Sequence, residues 1–498
     1  MQNPEDLVAT LRNSFKNGTT KPTEYRLKQL NNLLQFLEDN TQNLIDALKD
    51  DLHKHPIESL LSEINYCKND ARGAIYNLKE WSKPRPVEKS LPNIMDEAEI
   101  HPEPYGVALI LGAWNYPVCV TVSPMIGAIA AGNTVLLKPS ELSPATSKVF
   151  AEMLPKYLDT NCYKVFTGGP KETENLLNLR FDYIFFTGST RVGKLVSMAA
   201  AKNLTPITLE LGGKSPCYID DTVDIELAAS RILWGKTINS GQTCIAPDYV
   251  LCNKAVEKKF LEVIPKVLKE KFGENIQYSN DFCRIINSNH FNRIINLLKD
   301  QEIAIGGKND PSEKYIEPTI CINVDPKSPL MSEEIFGPIL PIIQVNNAAD
   351  AIHFINGREK PLALYVFSND KQISDLFINE TSSGATIVND TIMHFVCDSL
   401  PFGGVGESGM GAYHGKYSFD TFSHLKPVLK KKIDKIGEMM MSFRYPPYTE
   451  NKKNILEFLV KKRPTLIPNK CLNYLYLLIS FYLGYKFNSL LGHKNSEC

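Results

Sequence analysis

The chain has 498 residues, 43% of them hydrophobic and 22% charged, with a formal net charge of -1. This is ordinary for a globular protein of about two to four domains, and the near-zero charge gives no field that would draw the chain to nucleic acid. Eleven cysteines without regular spacing argue against a disulfide framework and for a reducing compartment, and without a CxxC pair, HExxH or EF-hand loop no metal site is expected.

The start, "MQNPEDLVAT", has no long apolar run and does not read as a secretory signal. From Pro4 to Trp81 apolar residues recur at three and four, as in "TEYRLKQLNNLLQFLEDNTQNLIDALKDDL", which predicts two or three amphipathic helices. A Pro-rich break, "SKPRPVEKSLPN", predicts a connector or β-arm. Beyond it, "GVALILGAWN" and "TVLLKPSE" read as strands alternating with helices at "MIGAIAAGN" and "ATSKVFAEMLPKYL". "YKVFTG" and "YIFFTGS" are two more apolar strands, each followed by a helical passage. Strands apolar on both faces and alternating with helices predict a parallel sheet with helical crossovers, so Gly106 to about Ala201 reads as an open doubly wound domain. After Glu210 the pattern resumes through "SPCYID", "YVLCN", "LPIIQV", "ALYVFS" and "GATIVN", which predicts a second such domain. The glycines of "LPFGGVGESGMGAYHG" predict irregular loop there.

Past "RYPPYTE" the composition shifts to a basic amphipathic helix, "KKNILEFLVKKRP", and an apolar run from Cys471 to Tyr485. At about 1.5 Å per residue the run spans roughly 22 Å, short of a hydrocarbon core of about 30 Å unless it extends through "KFNSLLG". Lys452, Lys453, Lys461, Lys462 and Arg463 precede it, which favours a C-terminal anchor with the bulk of the chain on the cytosolic side. A buried or subunit-packing helix, or one lying in the membrane plane, is the other reading.

"FTGSTRVGK", Phe186 to Lys194, follows a strand and opens a helix, so Gly188 and Gly193 could admit an anion to the helix N-terminus. It lacks the full GxGxxG form and equally suits an ordinary strand–helix turn. Lys138 and Glu141 stand past another strand end, suited either to a ribose diol or to a solvated pair beside Pro139. Glu210 before a double glycine, with Cys244 in "GQTC", could be a carboxylate serving a thiol, or a turn and a core filler.

Together "LELGGKSP" and "GQTCIAPDYVLC" resemble the two active-site signatures of the aldehyde dehydrogenases. The likeness extends through "GAWNYPVCVTVSPMIGAIAAGNTVLLKPSE", "FTGSTRVGK", "EEIFGPILPI", "REKPLALYVFS" and "SLPFGGVGESGMGAYHGKYSFDTFSH", and covers roughly residues 5 to 447. Its details are similar to the class 3 branch, which includes membrane-anchored fatty aldehyde dehydrogenases. The resemblance implies that Cys244 is the nucleophile, Glu210 the general base, and Asn115 with the Cys244 backbone N–H the oxyanion hole. It implies that Gly188, Ser189, Thr190, Arg191, Val192 and Gly193 cover a cofactor pyrophosphate, with Lys138 and Glu141 at the adenosine ribose. Glu334 would hold the nicotinamide ribose and Phe336 pack near the ring. Glu141 would repel a 2′-phosphate, which ranks NAD above NADP. Arg191 is a departure, being larger and charged where a smaller residue is expected. His414 is expected to fix a loop.

The resemblance further implies an α/β fold of two doubly wound open-sheet domains, a small bridging or oligomerisation element and a C-terminal apolar helix. The expected boundaries are 1–82 with 103–209 for the dinucleotide-binding domain, 83–102 for the arm, 210–400 for the catalytic domain and 401–447 for a return segment. The basic helix takes 448–469 and the anchor 470–492. The expected activity is oxidation of medium- to long-chain aliphatic aldehydes by a homodimer on the cytosolic face of the endoplasmic reticulum. Short-chain or aromatic aldehyde oxidation, a coenzyme A-acylating variant and a catalytically silent membrane-tethered scaffold are the rivals, and the cytoplasm is the alternative location.

Overall fold

The structure, a computed structural model, describes residues 3–94, 96–435, 438 and 441–462. The expected apolar helix and anchor over 470–492, and the end of the basic helix expected over 448–469, lie outside the described residues. A helix does form at Glu450–Val460. Among the described residues no helix is long and apolar enough to cross a membrane.

Two compact units are present, Met1–Lys83 with His101–Lys426, and Pro84–Ile100 with Pro427–Cys498. The first unit opens on four long helices, Pro4–Lys16, Thr23–Asp39, Thr41–Leu52 and Asn65–Trp81, rather than two or three. Periodicity could not show the break at Asn40, because the apolar spacing runs on across it. Between the last two lie a short helix, Pro56–Ser59, and a π-helical turn, Leu60–Ile64.

The strands of the first sheet are β1 Val107–Leu111, β2 Thr134–Lys138, β3 Tyr163–Val165, β4 Tyr183–Thr187 and β5 Ile207–Glu210. The second sheet comprises β6 Pro216–Ile219, β7 Tyr249–Cys252, β8 Glu302–Ile305, β9 Thr319–Ile322, β10 Ile339–Gln344, β11 Ala363–Phe367 and β12 Ala385–Val388. A last short strand, β13 Gly409–Met410, returns to the first sheet. Every residue of β1, β2 and β11 is buried, which explains their unbroken apolar character. Each large apolar side chain so buried stabilises the fold by about 1.5–3 kcal/mol.

In the first sheet the order is β13-β5-β4-β1-β2-β3. The chain therefore builds outward from β1 to β3, then returns to the other side of β1 for β4 and β5. A crevice opens at the carboxyl ends of the strands where such an order reverses. The second sheet runs β8-β9-β10-β7-β6-β11-β12. Neither is wholly parallel, since β13 pairs antiparallel with β5 and β8 antiparallel with β9. The glycine-rich segment is thus not all irregular loop. Its glycines let β13 lie flush on β5, because a side chain at Gly409 would collide with the Leu209 carbonyl. A small sheet of Arg85–Pro86, Glu97–Pro104 and Ser423–Lys430 completes the architecture.

Candidate active site

A cavity of about 570 Å³ lies where the first sheet reverses its order. Its lining follows from three strand ends: Ala113 to Tyr116 past β1, Thr187 to Arg191 at and beyond β4, and Glu210 to Gly212 at β5. Cys244, Glu334 and Phe336 enter the same cavity from the rest of the unit.

Cys244 follows a run of three left-handed residues, Asn239 (φ 50°), Ser240 (φ 56°) and Gly241 (φ 74°). Two of them carry side chains that disfavour this conformation, a cost offset by hydrogen bonds. The Asn239 amide donates to the carbonyls of Asn115 (2.7 Å) and Gln242 (3.1 Å). The Gln242 amide donates to the carbonyls of Asn239 and Arg284, at 3.0 Å each, and its oxygen accepts from the Ile286 N–H at 2.9 Å. At Gly241 a Cβ would strike the Gly337 carbonyl. The turn is therefore held from several sides, and the sulfur it delivers is partly exposed to the cavity.

Asn115 is 5% exposed, and one N–H of its amide donates to the Gln242 carbonyl at 3.1 Å. Asn115 also lines the cavity. Tyr116 and Thr243 share a hydrogen bond of 2.7 Å, which ties the segment after β1 to the segment carrying Cys244.

Glu210 is 3% exposed, and neither carboxylate oxygen has a hydrogen-bond partner among the described residues. Burial alone raises its pKa well above the ordinary value. The backbone carbonyl of Glu210 accepts from the Gly188 N–H at 3.0 Å, so the glycine loop and the carboxylate are held together. Cys244 is also shifted upward, first by burial and then by the nearby Glu334 and Glu210, while its own N–H and that of Ile245 oppose the shift.

Glu334 is raised to about 8, by burial first and then by Asp248, against the pull of the Gly213 N–H and the lysines 214 and 236. Its carboxylate fills the space that a side chain at Gly212 would need. The surrounding backbone is pinned: Lys214 donates to the carbonyls of Leu330 and Glu333 and pairs with buried Asp248 at 2.6 Å. Asp248 in turn accepts from the Ile335 N–H, and Arg293 donates to the carbonyls of Glu334 and Ile335. Phe336 takes a left-handed conformation (φ 51°) and meets Trp114 edge-on at 5.3 Å.

Of the residues expected at a cofactor site, Gly188, Ser189, Thr190 and Arg191 line the cavity, whereas Val192 and Gly193 do not. Gly193 instead permits close helix–strand packing, since a Cβ there would lie 2.6 Å from the Leu211 side chain. Ser189 caps the helix Thr190–Ala201 by accepting from the Val192 N–H. Arg191 is exposed, so its size meets no buried constraint. Lys138 and Glu141 lie outside the cavity lining and form an ion pair of 2.6 Å past β2. Sequence reasoning missed Lys54, in the link after the helix Thr41–Leu52, and Glu58 and Glu63, on the short helical turns that follow. Glu58 accepts from the Asn239 N–H at 2.9 Å.

The cavity wall also includes the apolar and aromatic side chains of Val120, Ile238, Ile392, Phe395, Phe402 and Tyr413. A thiol open to the cavity, an unpartnered buried carboxylate and a side-chain amide in one cavity suit covalent chemistry on a carbonyl group.

The profile of the aldehyde dehydrogenase family matches residues 3–428. Aldehyde dehydrogenase family 3 member A2 of Mus musculus is 51% identical over 459 residues, 92% of this chain and 94% of that protein. The dimeric NADP-preferring aldehyde dehydrogenase of Canis lupus familiaris is 49% identical over 448 residues, 90% of this chain and 98% of its own length. The substrate-bound structure of Staphylococcus aureus AldH superposes with a TM-score of 0.89 at 42% identity, covering 93% of this chain and all of that one.

Proposed function

The chain belongs to the aldehyde dehydrogenase family, and on that footing we propose that it oxidises medium- and long-chain aliphatic aldehydes to carboxylic acids through a thioester on Cys244. The observation that carries this reading is the convergence of Cys244, Glu210 and Asn115 on one cavity with an apolar wall. The Cys244 thiol gives its proton to the Glu210 carboxylate, which passes it to solvent, as the sulfur bonds to the aldehyde carbon. The charge on oxygen is met by the Asn115 amide and the Cys244 N–H. One such donor is worth about 3–4 kcal/mol of barrier. Glu210 takes a proton from water, the resulting hydroxide attacks the thioester, and the acid leaves as the thiol is restored. An unpartnered carboxylate suits this work, because no hydrogen bond must break before it receives the proton.

The residues present fit a nicotinamide dinucleotide. A serine-capped helix start lies beside the cavity, Thr187 offers a buried hydroxyl without a partner, and Glu334 presents a carboxylate suited to a ribose diol. When bound, that cofactor supplies the hydride acceptor. Gly188 to Arg191 would hold the pyrophosphate, with Lys138 and Glu141 at the adenosine ribose. The Glu141 carboxylate would repel a 2′-phosphate, so NAD ranks first, with NADP also admitted because a relative carries the name NADP-preferring. The two sheets would divide as a dinucleotide-binding region over 1–82 and 103–209 and a catalytic region over 210–400.

A homodimer is proposed from the dimeric relative. The apolar run from Cys471 to Tyr485 supports a C-terminal anchor in the endoplasmic reticulum with the catalytic cavity in the cytosol. The test is a chain-length series from acetaldehyde to hexadecanal, with NAD and NADP in parallel. The expected result is kcat/KM that rises with chain length and favours NAD, with free acid as product. Flat or falling efficiency beyond short chains would contradict the fatty substrate.

A further inference from the structure

Lys54 and Glu63 form an ion pair of 2.6 Å with both side chains at 0% exposure. Burying two charges is a poor source of stability, since desolvation offsets their attraction, and apolar side chains of similar volume do as well. The partners of this pair suggest a different use. Glu63 spends its second oxygen on the N–H groups of Val118 (2.8 Å) and Cys119 (3.3 Å), at the start of the helix Cys119–Ala131. Lys54 reaches the carbonyl oxygen of Asn115 at 3.4 Å and lies 4.3 Å from the centre of the Tyr116 ring. One pair therefore grips both ends of the short segment that carries the Asn115 amide. Glu63 is delivered by the π-helical turn Leu60–Ile64, a local departure from helix geometry of the kind often found at functional sites.

We propose that the buried Lys54–Glu63 pair is a positioning device that fixes the Asn115 amide in the cavity, so that it governs transition-state stabilisation rather than binding. This rests on the oxyanion role given to Asn115 above. The pair touches neither the cavity's cofactor end nor Cys244, and its effect passes through the backbone of residues 115–119. Loosening it lets the amide wander, a loss that appears in kcat, while the turn before Cys244 keeps its other anchors, the Gln242 amide on the Asn239 and Arg284 carbonyls and the Asn239 N–H on Glu58.

The full-length variants Asn115→Ala, Glu63→Gln and Lys54→Met test this. Four readouts are needed: kcat and KM with a medium-chain aldehyde, acylation by a p-nitrophenyl ester without cofactor, NAD affinity, and the rate of Cys244 alkylation by iodoacetamide. Asn115→Ala should lower kcat by roughly 10²–10³-fold, and each ion-pair variant by about tenfold, as expected for losing or misplacing one oxyanion donor. Ester acylation should fall in step, while KM, NAD affinity and alkylation stay near the unsubstituted enzyme. If Asn115→Ala keeps full kcat, the oxyanion reading itself fails. If it falls and both ion-pair variants keep full kcat, the positioning role alone is overturned. Alkylation and NAD affinity falling together with kcat would show a merely structural pair and overturn it equally. Should Lys54→Met not fold, Glu63→Gln decides, because its amide oxygen still accepts from Val118 and Cys119.

Discussion

At the scale of single residues, burial and mutual repulsion push the pKa values of the site's acidic groups upward. Glu334 adds to the upward shift of Cys244, second only to burial. Removing its charge should therefore make the thiol easier to ionise. Glu334→Gln is expected to move the pH of half-maximal alkylation of the cofactor-free enzyme downward, and an upward shift would contradict the electrostatic reading. Cys244, Glu210, Asn115 and Glu334, which share the cavity, stood out in the sequence only through the family resemblance of their motifs, since each residue alone also suits a turn or a core position. Asn115 and Glu210 stand at strand ends, where side chains face the crevice. Lys54 and Glu63 were not legible, since a lysine and a glutamate between amphipathic helices read as solvated positions. Only the tertiary fold removes water from them.

At the scale of elements, the glycine-rich return segment shows how far composition reaches. Its glycines correctly exclude long regular structure, yet β13 forms because Gly409 and Gly411 have no side chain to hold β5 away. The same segment buries His414, whose ring stacks on Phe402 at 4.9 Å, with His394 stacked on Phe402 at 5.8 Å. No ring nitrogen of either histidine has a partner among the described residues. His414 takes a left-handed conformation (φ 89°), and its backbone N–H donates to the Ser418 hydroxyl. Burial lowers His394 to about 4 and His414 to about 3. The folded state thus prefers both rings neutral, while the unfolded chain protonates them below about pH 6.5. Their contribution is whole above that pH and is lost as pH falls toward the folded values, at about 1.4 kcal/mol per pH unit per ring. Thermal unfolding should show Tm dropping from pH 6.5 to 4, and His394→Phe should flatten that slope. An unchanged slope would count against the histidines.

At the scale of the whole molecule, two open sheets were legible because each buried strand is a short apolar run between helical stretches. The antiparallel edges β8 and β13 were not, since direction within a sheet is set by the path of the chain and leaves no mark in local composition. The anchor proposed for the C-terminal run predicts that the intact protein resists sodium carbonate extraction from membranes. Release with peripheral proteins would remove the anchor. The central claim is a covalent acyl group on Cys244 that Glu210 helps to hydrolyse. Intact mass spectrometry of Glu210→Gln mixed with NAD and a long-chain aldehyde tests it most directly. The expected result is an added mass equal to the acyl group, mapped to Cys244 and absent when Cys244→Ala is introduced as well. No adduct, or an adduct on another residue, would contradict the account.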